Sequence, residues 1–144
     1  MRLCVNTGNR LHLIRPYGFA WDDAKLRRAG LDYKHHADVG HYDSMQEFLE
    51  AVEPRSVYAF SQFGTKRYTD VVYREGDALV FGSESVGLPE EVMTAPYVVD
   101  TIRIPVTPRG RSLNLANAAA IAVYEVWRQL GFAGADAASG AKPI

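Results

Sequence analysis

Apolar and polar residues alternate from Arg10 to Ile14 (RLHLI) and the pattern stops at Pro16, which predicts a strand running into a loop. Three more short apolar runs read as strands: Ser56 to Phe60 (SVYAF), Ala78 to Phe81 (ALVF) and Thr101 to Ile104 (TIRI). Each is followed by Gly, Ser or Pro within a few residues. The period becomes helical at Asp43 to Val52 (DSMQEFLEAV). There Ser44 and Glu47 have capping-box spacing, Met45, Phe48, Leu49 and Val52 share a face, and Pro54 ends the helix. A shorter helix is expected at Asp22 to Ala29, acidic at its start, basic at its end (Lys25, Arg27, Arg28) and stopped by Gly30. Pro89 to Met93 has room for a short helix. Leu113 to Leu130 is the longest, apolar on nearly every side from Leu115 to Trp127 apart from Asn117 and Glu125. A helix of that kind is expected to be buried on more than one face, here with a second copy of the chain supplying the extra surface.

Strands alternating with helices give an α/β fold with a mainly parallel sheet and helices on both faces, in which ligands sit at the loops beyond the carboxyl ends of strands. The 144 residues match the size of one domain. Residues 1–132 are expected to form it, and the small, Gly-rich stretch 133–144 to be a flexible tail. A content of 47% hydrophobic and 23% charged residues is that of an ordinary globular protein, and no uncharged run is long enough to cross a bilayer. Cys4 is the single cysteine, which excludes an intramolecular disulfide and a Cys-based zinc site, and no secretion signal is legible. A cytoplasmic protein is expected. The net charge of −1 argues against nucleic-acid binding by bulk electrostatics, yet its distribution is uneven: +4 over residues 1–36, −8 over 37–100 and +3 over 101–144. Two basic ends form a local site for an anionic ligand if they meet in space, and are otherwise scattered solvated charge.

Four loops at strand ends carry the candidate chemistry: Ser61 to Lys66 (SQFGTK), Gly82 to Pro89 (GSESVGLP), Pro105 to Arg111 (PVTPRGR) and the turn Ser112-Leu113-Asn114. Gly82 and Gly87 permit close approach to the backbone, and Glu84 adds a carboxylate between them. Arg109 and Arg111 flank Gly110 just before a helix start, where free backbone N–H groups favour an anion; the alternative is two solvated arginines. No phosphate-binding Walker loop, dinucleotide fingerprint or nucleophile elbow is present. His35, His36 and His41 read as polar-loop surface residues, so no metal is expected.

Three segments resemble one family: Arg10 to Tyr33 (RLHLIRPYGFAWDDAKLRRAGLDY), Phe81 to Pro89 (FGSESVGLP) and Ile102 to Ala135 (IRIPVTPRGRSLNLANAAAIAVYEVWRQLGFAGA). They are similar, in order and spacing and over nearly the whole chain, to the TrmL-type tRNA 2′-O-methyltransferases of the SPOUT class, within the TrmH family of RNA methyltransferases. The resemblance implies methyl transfer from S-adenosyl-L-methionine to the ribose 2′-hydroxyl of the wobble nucleotide, a cytidine or modified uridine in the tRNA anticodon stem-loop. It also implies a trefoil knot near the carboxyl end and a homodimer. Cofactor contacts then fall on Phe60, Ser61, Gly82, Ile104, Ser112 and Leu113, and RNA contacts on Arg27, Arg28, Arg109 and Arg111. Arg2, Glu84, Asn117 and Tyr124 occupy the family's catalytic positions. Because a guanidinium stays protonated, Arg2 suits a clamp on the target phosphate better than a base.

One departure stands out. Asn6-Thr7-Gly8-Asn9 aligns with the later Asn-Thr-Gly of the family pattern, so the chain is expected to lack the family's first strand and to hold Arg2 at a frayed terminus. Two functions therefore stay open: an active methyltransferase, and a tRNA- or cofactor-binding remnant without turnover. Methyl incorporation into tRNA separates them. A small-molecule-binding domain without RNA is a third reading, disfavoured by the basic ends.

Overall fold

The structure, a computed structural model, describes residues 1–17 and 38–135. The expected helix at Asp22 to Ala29, with Arg27 and Arg28, lies outside the described residues, as do His35, His36 and the tail beyond Ala135. The described elements are α1 (Arg2–Thr7), β1 (Leu11–Ile14), β2 (Val39–Tyr42), α2 (Met45–Val52), β3 (Val57–Phe60) and β4 (Lys66–Arg67). A 3₁₀ turn (Tyr68–Asp70), β5 (Ala78–Phe81), α3 (Glu90–Met93), β6 (Val98–Arg103) and α4 (Leu115–Gln129) follow.

Among the described residues all the strand ladders are parallel, as the α/β pattern predicts, but they form two sheets rather than one: β1–β2, and β4–β6–β3–β5. The smaller sheet has its own core. Phe48 of α2 is buried edge-on against Tyr42 and His12, with ring centroids 5.5 and 5.1 Å away. The Tyr42 hydroxyl lies 2.9 Å from His12 Nδ1. To reach it the Tyr42 ring folds over Gly40, where an added Cβ would stand 2.5 Å from the hydroxyl. That use of glycine hides β2 from sequence reading, because Gly and His interrupt the strand pattern. The capping box of α2 forms with one shift: Glu47 N–H donates to Ser44 Oγ at 3.1 Å, while Glu47 Oε2 accepts from the backbone of Asp43 at 2.6 Å.

In the larger sheet β3 lies between β5 and β6, and its four residues are all buried. A continuous apolar run is what such an inner strand requires. Ile102 of β6 is fully buried, and Tyr58, Phe60, Val71, Tyr73 and Ala122 complete the core. Burying side chains of this size stabilises the fold by about 1.5–3 kcal/mol each. The long helix α4 packs on α1, β5 and the 3₁₀ turn; Ala122 is its single buried residue, residues 118–121, 123 and 125–127 are half-buried, and Tyr124 is 45% exposed. The extra surface expected from a second copy of the chain lies beyond a single chain. The side-chain amide of Gln129 pins α4 to the segment after the 3₁₀ turn, donating to Val71 O and accepting from Tyr73 N–H, both at 3.0 Å.

The amino terminus corrects one expectation. Residues Arg2–Thr7 are a helix, closed by Gly8 at φ 67°, and Thr7 Oγ1 donates back to Leu3 O at 2.8 Å. With Cys4 and Thr7 buried and α1 packed on α4, Arg2 stands in an anchored first turn and not at a frayed end.

Candidate active site

Because β3, β5 and β6 run parallel, their carboxyl ends share one edge, and the loops leaving them enclose a cavity of about 700 Å³. Phe60, Ser61, Gly82, Ile104, Ser112 and Leu113 all line it, as does Glu84. Seven residues drawn from four loops thus meet where parallel-sheet logic places a ligand.

Each wall has a local cause. Phe60 and Phe81, partners in the β3–β5 register, stack at 4.8 Å. Ser61 N–H donates to Ile102 O at 2.9 Å, and Gly64 N–H closes a turn on Ser61 O at 3.1 Å. The loop after β5 folds back on itself: Gly87 N–H donates to Ser83 O at 2.9 Å, with Gly87 at φ 72°. At Gly82 an added Cβ would stand 1.9 Å from the carbonyl carbon of Gly87 and 2.1 Å from Leu88 N. Glycine is required there by the chain's own backbone at Gly87 and Leu88.

Asn114 joins the walls. Its Oδ1 caps α4, accepting from Ala116 N–H at 3.0 Å and Asn117 N–H at 3.3 Å, while its Nδ2 donates to Glu84 Oε1 at 3.0 Å. One side chain therefore satisfies the open start of α4 and holds the loop after β5. The sequence signal for it is an Asn directly before a helical run; its second partner, thirty positions away, leaves no local trace. Gln62 and Arg103 also line the cavity; each lies in a segment singled out above, Ser61 to Lys66 and Ile102 to Ala135, without having been expected individually.

The other expected site residues lie elsewhere. Arg2, Asn117 and Tyr124 are not among the lining residues. Asn117 is exposed on the first turn of α4, and Tyr124 packs edge-on to Trp127 at 5.6 Å on its open face. Arg109 and Arg111 are exposed at the cavity rim, in a loop turned by Gly110 N–H donating to Thr107 O at 2.8 Å. His41 Nδ1 lies 2.7 Å from the Tyr17 hydroxyl, and among the described residues no three metal-ligating side chains gather.

Among the described residues, Glu84 and Arg103 are the only charged ones lining the cavity, and the remainder is backbone, small hydroxyls, the amides of Gln62 and Asn114, and apolar surface. The groups with shifted proton affinity stand away from it. Burial pushes the Tyr73 hydroxyl far up and lowers His12, and the hydrogen bond from Arg128 lowers Glu125. The site is built to hold and orient a medium-sized molecule, with a carboxylate and a guanidinium at hand, rather than to generate a strong nucleophile.

Comparison with known proteins agrees. Residues 1–124 match the model of the SpoU rRNA Methylase family. A tRNA (cytidine(34)-2′-O)-methyltransferase of Aeromonas hydrophila is 52% identical over 134 residues, covering 93% of this chain and 86% of that protein. A solved structure concerned with the 2-OH methylation of C/U34 on tRNA superposes with a TM-score of 0.80 at 49% identity, covering 91% of this chain and 85% of that one. An AdoMet-bound rRNA methyltransferase from Sinorhizobium meliloti superposes with a TM-score of 0.72 at 25% identity, over 90% of this chain and 49% of that one. By the family match over residues 1–124 and by relatives of this similarity, the chain belongs to the SpoU rRNA methylase family.

Proposed function

We propose that this protein transfers a methyl group from S-adenosyl-L-methionine to the ribose 2′-hydroxyl of nucleotide 34, a cytidine or modified uridine, in the anticodon stem-loop of tRNA. The observation that carries the reading is the meeting of Phe60, Ser61, Gly82, Ile104, Ser112 and Leu113 around one cavity, in a chain 52% identical to an enzyme named for that reaction. Backbone groups of these six residues would hold the cofactor. The sulfonium methyl is already activated, so the protein's task is to align an in-line attack and help remove one proton. Glu84, held by Asn114, orients the reacting centre from within the cavity. Arg2 clamps the phosphate of the target nucleotide, Asn117 and Tyr124 support loop and substrate, and Arg27, Arg28, Arg109 and Arg111 contact RNA.

The protein acts as a cytoplasmic homodimer of single domains spanning residues 1–132, with α4 at the two-fold interface and one protomer's amino-terminal basic residues completing the partner's RNA site. Support comes from the open face of α4, where Tyr124, Leu130 and Phe132 are exposed beside Trp127. The chain from Ser112 threads the preceding loops as a trefoil knot, a reading supported by the Asn114–Glu84 bond, which ties the start of α4 to the loop after β5. No helix among the described residues is long and apolar enough to cross a membrane.

The test is tritium incorporation from methyl-labelled S-adenosylmethionine into unmodified tRNA transcripts. Label in the transcript that disappears when nucleotide 34 carries a 2′-deoxyribose is the expected result. Label that survives that substitution, or no label despite cofactor binding, overturns the assignment.

A further inference from the structure

Arg103 is a cation on the cavity wall with no ion-pair partner among the described residues. Its setting makes that notable. Nearby carboxylates are already engaged: Asp100 with Lys66 at 2.6 Å and Asp70 with Arg67 at 2.9 Å. Arg103 also stands in register with Arg67 across the parallel β4–β6 pair, so two guanidinium-bearing residues are neighbours on the same face of the sheet. Like charges so placed destabilise a sheet. Arg67 is compensated by Asp70, and Arg103 by no carboxylate among the described residues. The other charged residue lining the cavity, Glu84, is occupied by Asn114. The site thus retains one uncompensated positive charge where the ligand sits.

We infer that Arg103 binds an oxyanion of the ligand that occupies this cavity, and so is a binding residue for the reaction. This rests on the proposed function, which supplies two oxyanions: the amino-acid carboxylate of the cofactor and a phosphodiester of the RNA next to the target ribose. Arginine suits either, because its planar fork matches both geometries in a bidentate manner.

The experiment compares the wild-type chain with Arg103→Gln and Arg103→Lys. Arg103 is exposed, so both variants should retain the wild-type circular dichroism and melting profile. Calorimetry is run with S-adenosylhomocysteine and with 5′-methylthioadenosine, which lacks the amino-acid carboxylate, and tRNA binding is measured against salt concentration. If the cofactor carboxylate is the partner, Arg103→Gln weakens S-adenosylhomocysteine at least tenfold, leaves methylthioadenosine unchanged, and Arg103→Lys recovers part of the loss. If the phosphodiester is the partner, both nucleosides bind as before. The tRNA KM then rises about tenfold, and the slope of log K against log salt falls by about one. Unchanged affinity in both arms overturns the inference. A wild-type chain that takes up neither S-adenosylhomocysteine nor tRNA overturns the proposed function instead, and the inference falls with it.

Discussion

Replacing Gly82 by alanine adds a single methyl group at the most crowded point of the cavity wall. Its Cβ would stand 1.9 Å from the Gly87 carbonyl carbon, 2.1 Å from Leu88 N and 2.2 Å from the Gly87 oxygen, all backbone atoms that no side-chain rotation can withdraw. Reaching the 3.0 Å below which real Cβ contacts essentially do not occur requires the loop to retreat by at least 1.1 Å. The hydrogen bond from Gly87 N–H to Ser83 O, 2.9 Å long, lies within the segment that must move. Overpacking of this kind costs about 1–3 kcal/mol. Because Ser83, Glu84, Ser85 and Val86 are exposed, the loop can yield while the sheet stays folded. The ligand cost is larger in proportion. Losing two backbone hydrogen bonds of about 1–1.5 kcal/mol each weakens binding by roughly 30- to 150-fold. Gly87→Ala is the matched control, since nothing lies within 4 Å of a Cβ there and only the φ of 72° opposes it. A left-handed alanine costs about 1–2 kcal/mol of stability without intruding on the wall. Calorimetry with S-adenosylhomocysteine, alongside thermal melts, should show Gly82→Ala folded but at least tenfold weaker, and Gly87→Ala less than threefold weaker. Gly82→Ala binding within threefold of the wild-type chain would refute the placement of the cofactor against this loop.

Three further outcomes follow from particular contacts. Asn114→Asp keeps the acceptor that caps α4 but loses the donor to Glu84 and sets two carboxylates together. It should melt within a few degrees of the wild type yet bind S-adenosylhomocysteine at least fivefold more weakly, whereas Asn114→Ala should also lose about 1 kcal/mol of stability in urea titration. Gln129→Leu leaves Val71 O and Tyr73 N–H buried without partners. At about 1–3 kcal/mol for each orphaned group it should lower stability by roughly 2–6 kcal/mol and speed amide exchange at Tyr73, with cofactor affinity unchanged. Burial holds His12 below its ordinary pKa, so the unfolded chain binds the proton more readily than the folded one. The His12 contribution is therefore fully present above the unfolded value of 6.5 and is lost as pH falls through the interval down to the lowered folded value. Urea midpoints at pH 7.5 and 5.5 should differ more in the wild-type chain than in His12→Gln.

Local patterns carried much of the fold. ALVF is β5 residue for residue, SVYAF is β3 less its first residue, and Ser44 with Glu47 marked the start of α2. The misses have physical causes. VGHY forms β2 because Gly40 makes room for the Tyr42 ring, a reason invisible along the chain, and β4 is two exposed basic residues paired with β6. The split into two sheets and the half-burial of α4 depend on which surfaces meet, which no period encodes. At the site, the six expected cofactor positions came from the family resemblance and converge on one cavity, while composition indicated only that Gly/Ser/Pro loops gather at strand ends. Asn114 was expected only in the turn that opens the long helix, neither as its cap nor as the anchor of Glu84, a role that spans two distant loops.

The central claim concerns a single ribose. In cells that carry the gene for this protein, mapping of 2′-O-methylated riboses across tRNA and rRNA, compared with the same cells after its deletion, tests it most directly. The account predicts that deletion removes the 2′-O-methyl group at nucleotide 34 of a subset of tRNAs, that re-expression restores it, and that rRNA methylation is unchanged. A deletion strain that keeps every tRNA nucleotide 34 methyl group, or loses methyl groups from rRNA instead, would contradict it.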